Sequence, residues 1–368
     1  MNKKLVDFLD QTTNAGCSSF SWETKDGKHL WGRNFDFNRF ADGTYITFVP
    51  REKEYYTCGS EIENNLETNS KAVSKYSMIG MGSLVMGKAS PVMYEAINEK
   101  GLMGGQLYYR GYAHYKSEVC PGTQAVQGPY LITHVIAQCA TVAEVVDLFK
   151  SKITVVSTPI MGHVPMTHWI FTDKSGEAIV IEMDADGLHI YRNTMGVLTN
   201  SPDYNYQKTN LLNYANLRNE DFNTININGA KLPQVFSGNG MQGLPGDWTA
   251  ISRFVRLSFL KKYGEKGKDE EQGIDYMFRL FTSVAFPMGL IKVTNTSDIS
   301  KYDQDIVPYD YTVYTACMCA ESLKYYWMNY ENTSVNVVDL NEYKDEKDYI
   351  QFDILNEQHF IKAQPLKK

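Results

Sequence analysis

The stretch CSSFSWETKDGKHLWGRNFDF, residues 17–37, constrains the fold more than any other part of the chain. Two β-prone runs flank Asp26-Gly27, the strongest short-range signal for a hairpin. Cys17–Lys25 and Lys28–Asn34 are therefore expected to pair as antiparallel strands. A two-residue turn at Asp26-Gly27 pairs Lys25 with Lys28, Trp22 with Trp31 and Cys17 with Asp36. That register brings a thiol and a carboxylate to the same end of one ribbon. It sends Arg33 to the opposite face, from which only a bulge or twist near Phe35 would return it to the thiol.

Beyond the hairpin, Tyr45–Val49 reads as a third strand, and residues 57–75 are polar and loop-like. Gly128–Ser151 has helical periodicity, with Leu131, Val135 and Ile136 on one apolar face and Val142, Val145, Val146 and Phe149 on the next. Strands are expected at His168–Thr172, Ala178–Met183, Leu188–Tyr191 and Gly196–Thr199. Helices follow near Tyr206–Arg218, Thr249–Tyr263 and Glu271–Val284. Tyr309–Ala320, Leu323–Tyr330 and Ser334–Leu340 then form a closing run of strands. No linker, repeat or low-complexity tract divides the chain. This order suits a single layered α+β domain, two sheets face to face with helices outside. With 368 residues, of which 43% are hydrophobic, one large core is affordable.

Several function classes are excluded early. The net charge is −7 and no basic block occurs, which argues against nucleic acid or an anionic membrane as partner. The N-terminus opens with two lysines, yet Asp7 and Asp10 interrupt any apolar run, so a signal peptide is not expected. Leu5, Phe8 and Leu9 suggest a short amphipathic turn there, and the expected location is cytoplasmic. The six cysteines lack CxxC spacing. Gly238, Gly240 and Gly243 make a formal GxGxxG, but Leu244-Pro245-Gly246 follows where a dinucleotide site needs a helix. His163 and His168 lack the further ligands of a metal set, so neither metal nor cofactor is expected. Cys317 and Cys319 fall on one face of a strand and read as core packing.

Cys17 is different because Gly16 precedes it. If the thiol attacks the Gly16 carbonyl, Met1–Gly16 leaves as a leader and Cys17 gains a free α-amine. Such an amine has an unperturbed pKa of about 7.7–8.0 and can act as base for its own side chain. A reactive cysteine would then need no histidine. An ordinary strand cysteine is the competing reading.

The same stretch, with NEKGLMGGQLYY, GVLTNSP, GLPGDWTAISRFVR and YTVYTACMCAES, resembles the choloylglycine hydrolase family of penicillin V acylases and conjugated bile acid hydrolases. The similarity runs in order from Cys17 almost to the C-terminus. It implies a four-layer αββα sandwich of the N-terminal nucleophile type, with residues 17–368 as one domain after the leader 1–16. By that resemblance Cys17 is the nucleophile and Arg33 and Asp36 hold the thiol and amine. Asn200 and the backbone N–H of Tyr108 form the oxyanion hole, and Arg253 is the last polar member of the site. Read alone, Asn200 is a turn residue, Tyr108 a sheet aromatic and Arg253 a solvated helix arginine.

Tyr108 stands where the bile acid hydrolases carry Asn, so penicillin V is the first expected substrate, with conjugated bile acids as the alternative and an N-acyl homoserine lactone as a third acyl amide. The resemblance also implies a homo-oligomer, a tetramer. Two other classes stay open. One is a binding protein kept inactive by a retained leader. The other is a papain-like peptidase, which would need an essential histidine.

Overall fold

The structure, a computed structural model, describes residues 16–40, 43–59, 70–84, 91–159, 164–293 and 307–366. The expected leader, save Gly16, and His163 lie outside the described residues, as does the polar insert from Glu61 up to residue 69.

Two antiparallel sheets dominate. Their strands are β1 (Gly16–Glu23), β2 (His29–Phe37), β3 (Thr44–Val49), β4 (Met78–Leu84), β5 (Pro91–Asn98), β6 (Met103–Tyr108) and β7 (Thr167–Thr172). They continue as β8 (Ala178–Asp184), β9 (Gly187–Tyr191), β10 (Val197–Leu198), β11 (Tyr309–Cys319), β12 (Lys324–Asn329), β13 (Asn336–Asp339) and β14 (Ile350–Phe352). The first sheet has the order β10-β1-β2-β11-β12-β13, and a short strand at Ile291–Lys292 pairs with the start of β11. The second is a meander, β9-β8-β7-β6-β5-β4-β3, closed by β14. The helices are α1 (Leu131–Gln138), α2 (Val142–Ser151), α3 (Tyr204–Asn210), α4 (Ala250–Tyr263) and α5 (Glu270–Thr282).

Strand alternation sorts the core into layers. In β7, Ile170 joins the cluster between the sheets with Trp31, Met103 and Leu107. Its neighbours Trp169 and Phe171 face the other way and pack with Leu131, Val135, Val145 and Phe149 of α1 and α2. On the first sheet, Phe20 meets Phe281 of α5 at a centroid distance of 4.6 Å, and Phe254 and Leu257 of α4 join the same core. The result is helices, sheet, sheet, helices. The four-layer sandwich implied by resemblance is the observed architecture.

Three local expectations change. The helical stretch from Gly128 to Ser151 breaks into α1 and α2, because Cys139 is extended and Thr141 starts a new helix by accepting from Glu144 N–H. The helix expected near Tyr206–Arg218 is α3 followed by a 3₁₀ turn at Leu211–Tyr214. Strands β4, β5 and β6, central to the second sheet, have no counterpart in the sequence reading. The glycines of β4 and β6 weaken a strand signal, yet they serve close packing. At Gly105 a Cβ would lie 2.5 Å from Trp31 Cη2, so a glycine lets Trp31 of the first sheet rest on the second sheet's backbone.

Candidate active site

The hairpin sets the geometry, and its register differs from expectation. Thr24 N–H donates to the Lys28 carbonyl at 2.9 Å, and Gly27 N–H donates to Thr24 O at 3.1 Å. The loop is therefore Lys25-Asp26-Gly27, with Gly27 left-handed at φ 82°. This is the longer hairpin loop, a turn plus a left-handed residue, in place of a two-residue turn. The added residue shifts every pair. Cys17 faces Phe35, Ser19 faces Arg33 and Gly16 faces Asp36. Arg33 thus shares the thiol's face, and Asp36 falls on the other.

On the thiol's face, between the sheets, Arg33 Nη2 donates to Cys17 Sγ at 2.6 Å. Its Nη1 donates to the Gln106 carbonyl at 2.8 Å and lies 3.3 Å from Glu95 Oε2. Glu95 also accepts from Tyr314 Oη at 2.9 Å and Tyr325 Oη at 2.7 Å. Arg33 and Glu95 have no exposed side-chain surface. A buried guanidinium needs such a partner, since desolvation of a lone charge is costly. Burial raises the thiol's pKa; the Arg33 charge and a backbone hydrogen bond at Asp36 oppose it without cancelling it. Beyond the thiol, half-buried Phe35 stacks on Tyr94 and on Tyr314, each at 5.1 Å, giving an aromatic wall.

The opposite side surrounds the Cys17 backbone. Since β10 pairs Leu198 with Ser19, the next steps along both strands bring Asn200 to Cys17. Cys17 N–H donates to Asn200 Oδ1 at 2.8 Å, and Asn200 Nδ2 donates to the Tyr108 carbonyl at 2.8 Å. Tyr109 N–H donates across to Met166 O on the β7 side. By strand alternation, Tyr108 N–H then points away from β7, along with the carbonyl that meets Asn200.

Arg253, buried in the first turn of α4, donates to the Cys17 carbonyl, to Ser18 Oγ at 2.7 Å and to Asn200 Oδ1 at 2.7 Å. A cation there opposes the helix dipole. Asp247 offsets it just ahead of α4, where burial works against ionisation but hydrogen bonds from Ser252 and Thr249 outweigh it and hold the carboxyl at about 2.

Asp36 accepts from Thr312 Oγ1 at 2.5 Å, and its Oδ2 lies 4.0 Å from Arg253 Nη1. Burial pushes it up to about 6, against the pull of Arg253 and Thr312. Gly16 leaves room beside it: a Cβ would sit 2.7 Å from Phe286 Cζ and 3.2 Å from Asp36 Cβ. The glycine serves close packing, since its φ is not in the left-handed region. A cleft of about 420 Å³ opens here, lined by Gly16, Asn200, Trp248, Arg253, Phe286 and Asp310 among others. Burial and the neighbouring Asp36 push Asp310 up to about 7.

Arg33, Asp36, Asn200, Arg253 and the backbone of Tyr108 thus gather around Cys17, but Asp36 directs its carboxyl to Thr312 and Arg253 instead of the thiol. Sequence reasoning missed Glu95, Tyr314, Tyr325, Thr312 and Ser18. Glu95 did carry a signal, a single acid within the apolar run VMYEAI, which demands a buried partner. His168 bonds to Glu182 and to a backbone carbonyl. Among the described residues, Asp184, Asp186 and His189 approach closely enough to share a cation, at the edge of the second sheet.

The family whose model matches is "Linear amide C-N hydrolases, choloylglycine hydrolase family", over residues 17–352. A "Bile salt hydrolase/transferase" of Clostridium perfringens is 31% identical over 328 residues, covering 89% of this chain and 93% of that protein. One of Lactiplantibacillus plantarum is 31% identical over 348 residues, covering 94% and 98%. The solved structure of a mutant conjugated bile acid hydrolase from Clostridium perfringens superposes with a TM-score of 0.82, at 29% identity, over 95% of this chain and 100% of the other. Penicillin V acylase from Agrobacterium tumefaciens gives a TM-score of 0.65 at 19% identity, over 89% and 87%, which is a likeness of fold alone.

Proposed function

The chain belongs to the choloylglycine hydrolase family of linear amide C–N hydrolases, and from that premise we propose that it cleaves the amide of conjugated bile acids. The carrying observation is identity to bile salt hydrolases along nearly the whole chain. This reverses the expected order of substrates, in which Tyr108 put penicillin V first. Tyr108 contributes its backbone to the site, where Asn200 meets its carbonyl. The wall of half-buried Phe35 and Tyr94, backed by buried Tyr314, supports a broad apolar acyl group such as a steroid.

The reaction begins once Met1–Gly16 has been removed and the Cys17 nitrogen is an amine. That amine takes the thiol proton as Sγ attacks the substrate's carbonyl carbon. Asn200 Nδ2 and Tyr108 N–H stabilise the oxyanion, each worth about 2.7–4 kcal/mol by analogy with other acyl-transfer sites. The tetrahedral adduct collapses, the C–N bond breaks and the α-ammonium protonates the departing amine. Water then attacks the thioester and frees the acid. Arg33 holds the sulfur, Arg253 holds the Cys17 carbonyl and Asn200, and Asp36 is the nearby counter-charge for the new ammonium.

A homo-oligomer completes the reading. The hairpin of Ile225–Ile227 and Ala230–Leu232 is solvent-exposed throughout, with Ile225, Ile227 and Leu232 on one face. An isolated pair of strands is marginal in water, and a second copy would cover it. No helix among the described residues is long and apolar enough to cross a membrane.

The deciding experiment compares kcat/KM for glycocholate and penicillin V on one preparation whose intact mass is known. Preference for glycocholate and a mass lacking Met1–Gly16 are expected. Preference for penicillin V would restore the acylase reading. A fully active protein that retains the leader would end the α-amine mechanism.

A further inference from the structure

Outside the groups that touch Cys17, the second sheet carries a buried histidine–carboxylate pair with no role in the reaction above. His168 of β7 and Glu182 of β8 have no exposed side-chain surface. Register places them opposite each other, since Trp169 pairs with Ile181. Nδ1 of His168 lies 3.0 Å from Glu182 Oε1, and Nε2 lies 3.0 Å from the Thr199 carbonyl oxygen. A carbonyl only accepts, so Nε2 carries hydrogen. The Nδ1–Oε1 contact also needs a proton, whichever atom holds it. Glu182 further accepts from Tyr204 N–H, and the Tyr109 ring stacks on the imidazole at 4.3 Å.

We propose that His168, oriented by Glu182, is a positioning residue that sets the spacing of the two oxyanion donors. The inference rests on the roles proposed above for Asn200 and Tyr108. Those donors belong to different sheets: Asn200 follows β10 of the first, and Tyr108 ends β6 of the second. His168 stands on β7, the strand paired with β6, where Thr167 faces Tyr108. Its Nε2 holds the carbonyl of the peptide unit that leads into Asn200. One imidazole therefore ties the backbone of one donor to the sheet of the other. The Asn200 side chain itself bonds to Cys17 N–H, the Tyr108 carbonyl and Arg253, and the stretch is further tied by Thr199 Oγ1 to Ala250 O, Gln207 Nε2 to Asn200 O, and Ser201 Oγ to Arg110 O. None of them fixes the Thr199 carbonyl.

Two substitutions of similar size separate the tie from mere packing. His168→Gln keeps a donor near the Nε2 position, whereas His168→Asn keeps one near Nδ1 and cannot reach Thr199. In the mature enzyme acting on glycocholate, His168→Asn is expected to lower kcat about 10–100-fold, as loss of an outer supporting contact does elsewhere. KM should change little. Inhibition by the aldehyde analogue of cholic acid, whose adduct with the thiol needs the oxyanion donors, should weaken in parallel. Alkylation of Cys17 by iodoacetamide, which needs no such donors, should keep its rate and pH dependence. His168→Gln should stay near wild type in every assay.

Equal behaviour of the two variants, including equal failure to fold, would overturn the proposal and leave a structural histidine. A matching fall in alkylation rate would also overturn it, because the histidine would then act on the thiol. Asn200→Ala separates the premise from the inference. If that variant keeps full kcat, the oxyanion reading itself fails. If it is impaired while His168→Asn is not, only the present inference falls.

Discussion

The two arginines flanking Cys17 are built differently. Arg33 comes from the middle of a strand and lies between the sheets, with a buried carboxylate partner at 3.3 Å. Arg253 comes from the first turn of a helix, and its bonds are to Cys17 O, Ser18 Oγ, Asn200 Oδ1 and Trp248 O. Its nearest carboxylate, Asp36, is 4.0 Å away and pushed up to about 6. The thiol side is a closed ion pair, fixed by long-range strand pairing. The nitrogen side keeps acids that titrate close to neutrality beside a 420 Å³ cleft. Fixed charge therefore lies on the sulfur's side, while the acids pushed towards neutrality lie on the nitrogen's, where the proposed removal of the leader would create a new base.

Cys17→Ala breaks both sides at once and has the largest effect. It should remove turnover by at least about 10⁴-fold, as loss of a nucleophile does in other acyl-transfer enzymes, and leave Met1–Gly16 attached. Steady-state kinetics and intact mass check it, and residual turnover near wild type would end the nucleophile assignment. Glu95→Ala comes next. It strands Arg33 without a counter-ion and should cost about 3–5 kcal/mol in urea denaturation. Asp36→Ala should cost less, because that carboxyl is farther from its arginine; the reverse order would erase the distinction between the two sides. Asn200→Ala then removes one proposed oxyanion donor and should lower kcat about 10²–10³-fold. A fall in substrate affinity alone would assign Asn200 to binding.

The contrast also explains what the sequence could disclose. The hairpin, the last two long helices and the closing strands were legible because their signals are local: turn residues, alternation and helical spacing. The register was not, because one left-handed glycine turns a two-residue loop into a longer one and exchanges the faces of Arg33 and Asp36. Strands β4 and β6 were hidden by glycines whose purpose, at Gly105, is contact with Trp31 of the other sheet. Asn200 and Arg253 were visible only through family resemblance, since nothing near them in sequence points to Cys17. Glu95 was within reach as a lone acid among apolar residues, but its partner lies on another sheet. Long-range pairing is where sequence reading runs out.

The smallest expected effect tests where the proton traffic sits. Asp36 and Asp310 have pKa values of about 6 and about 7 in the folded chain, while an unfolded aspartate titrates at about 3.9. Groups raised on folding bind protons more tightly in the native state, so their contribution to stability falls as pH rises from about 4 through 6 to 7. Above that window the buried carboxylates are ionised against the fold. Asp310→Asn should therefore stabilise the precursor by about 1–3 kcal/mol at pH 8, with the gain shrinking towards zero below pH 4. Denaturation of wild type and variant at several pH values, both carried in the uncleaved Cys17→Ala background, measures that difference. In the mature enzyme the gain should be smaller, because an α-ammonium beside Asp36 supplies the missing positive charge and pulls both carboxyls down. An equal gain in both forms would mean that the two acids do not sense the new amine, and the division between a fixed thiol side and a titrating nitrogen side would not hold.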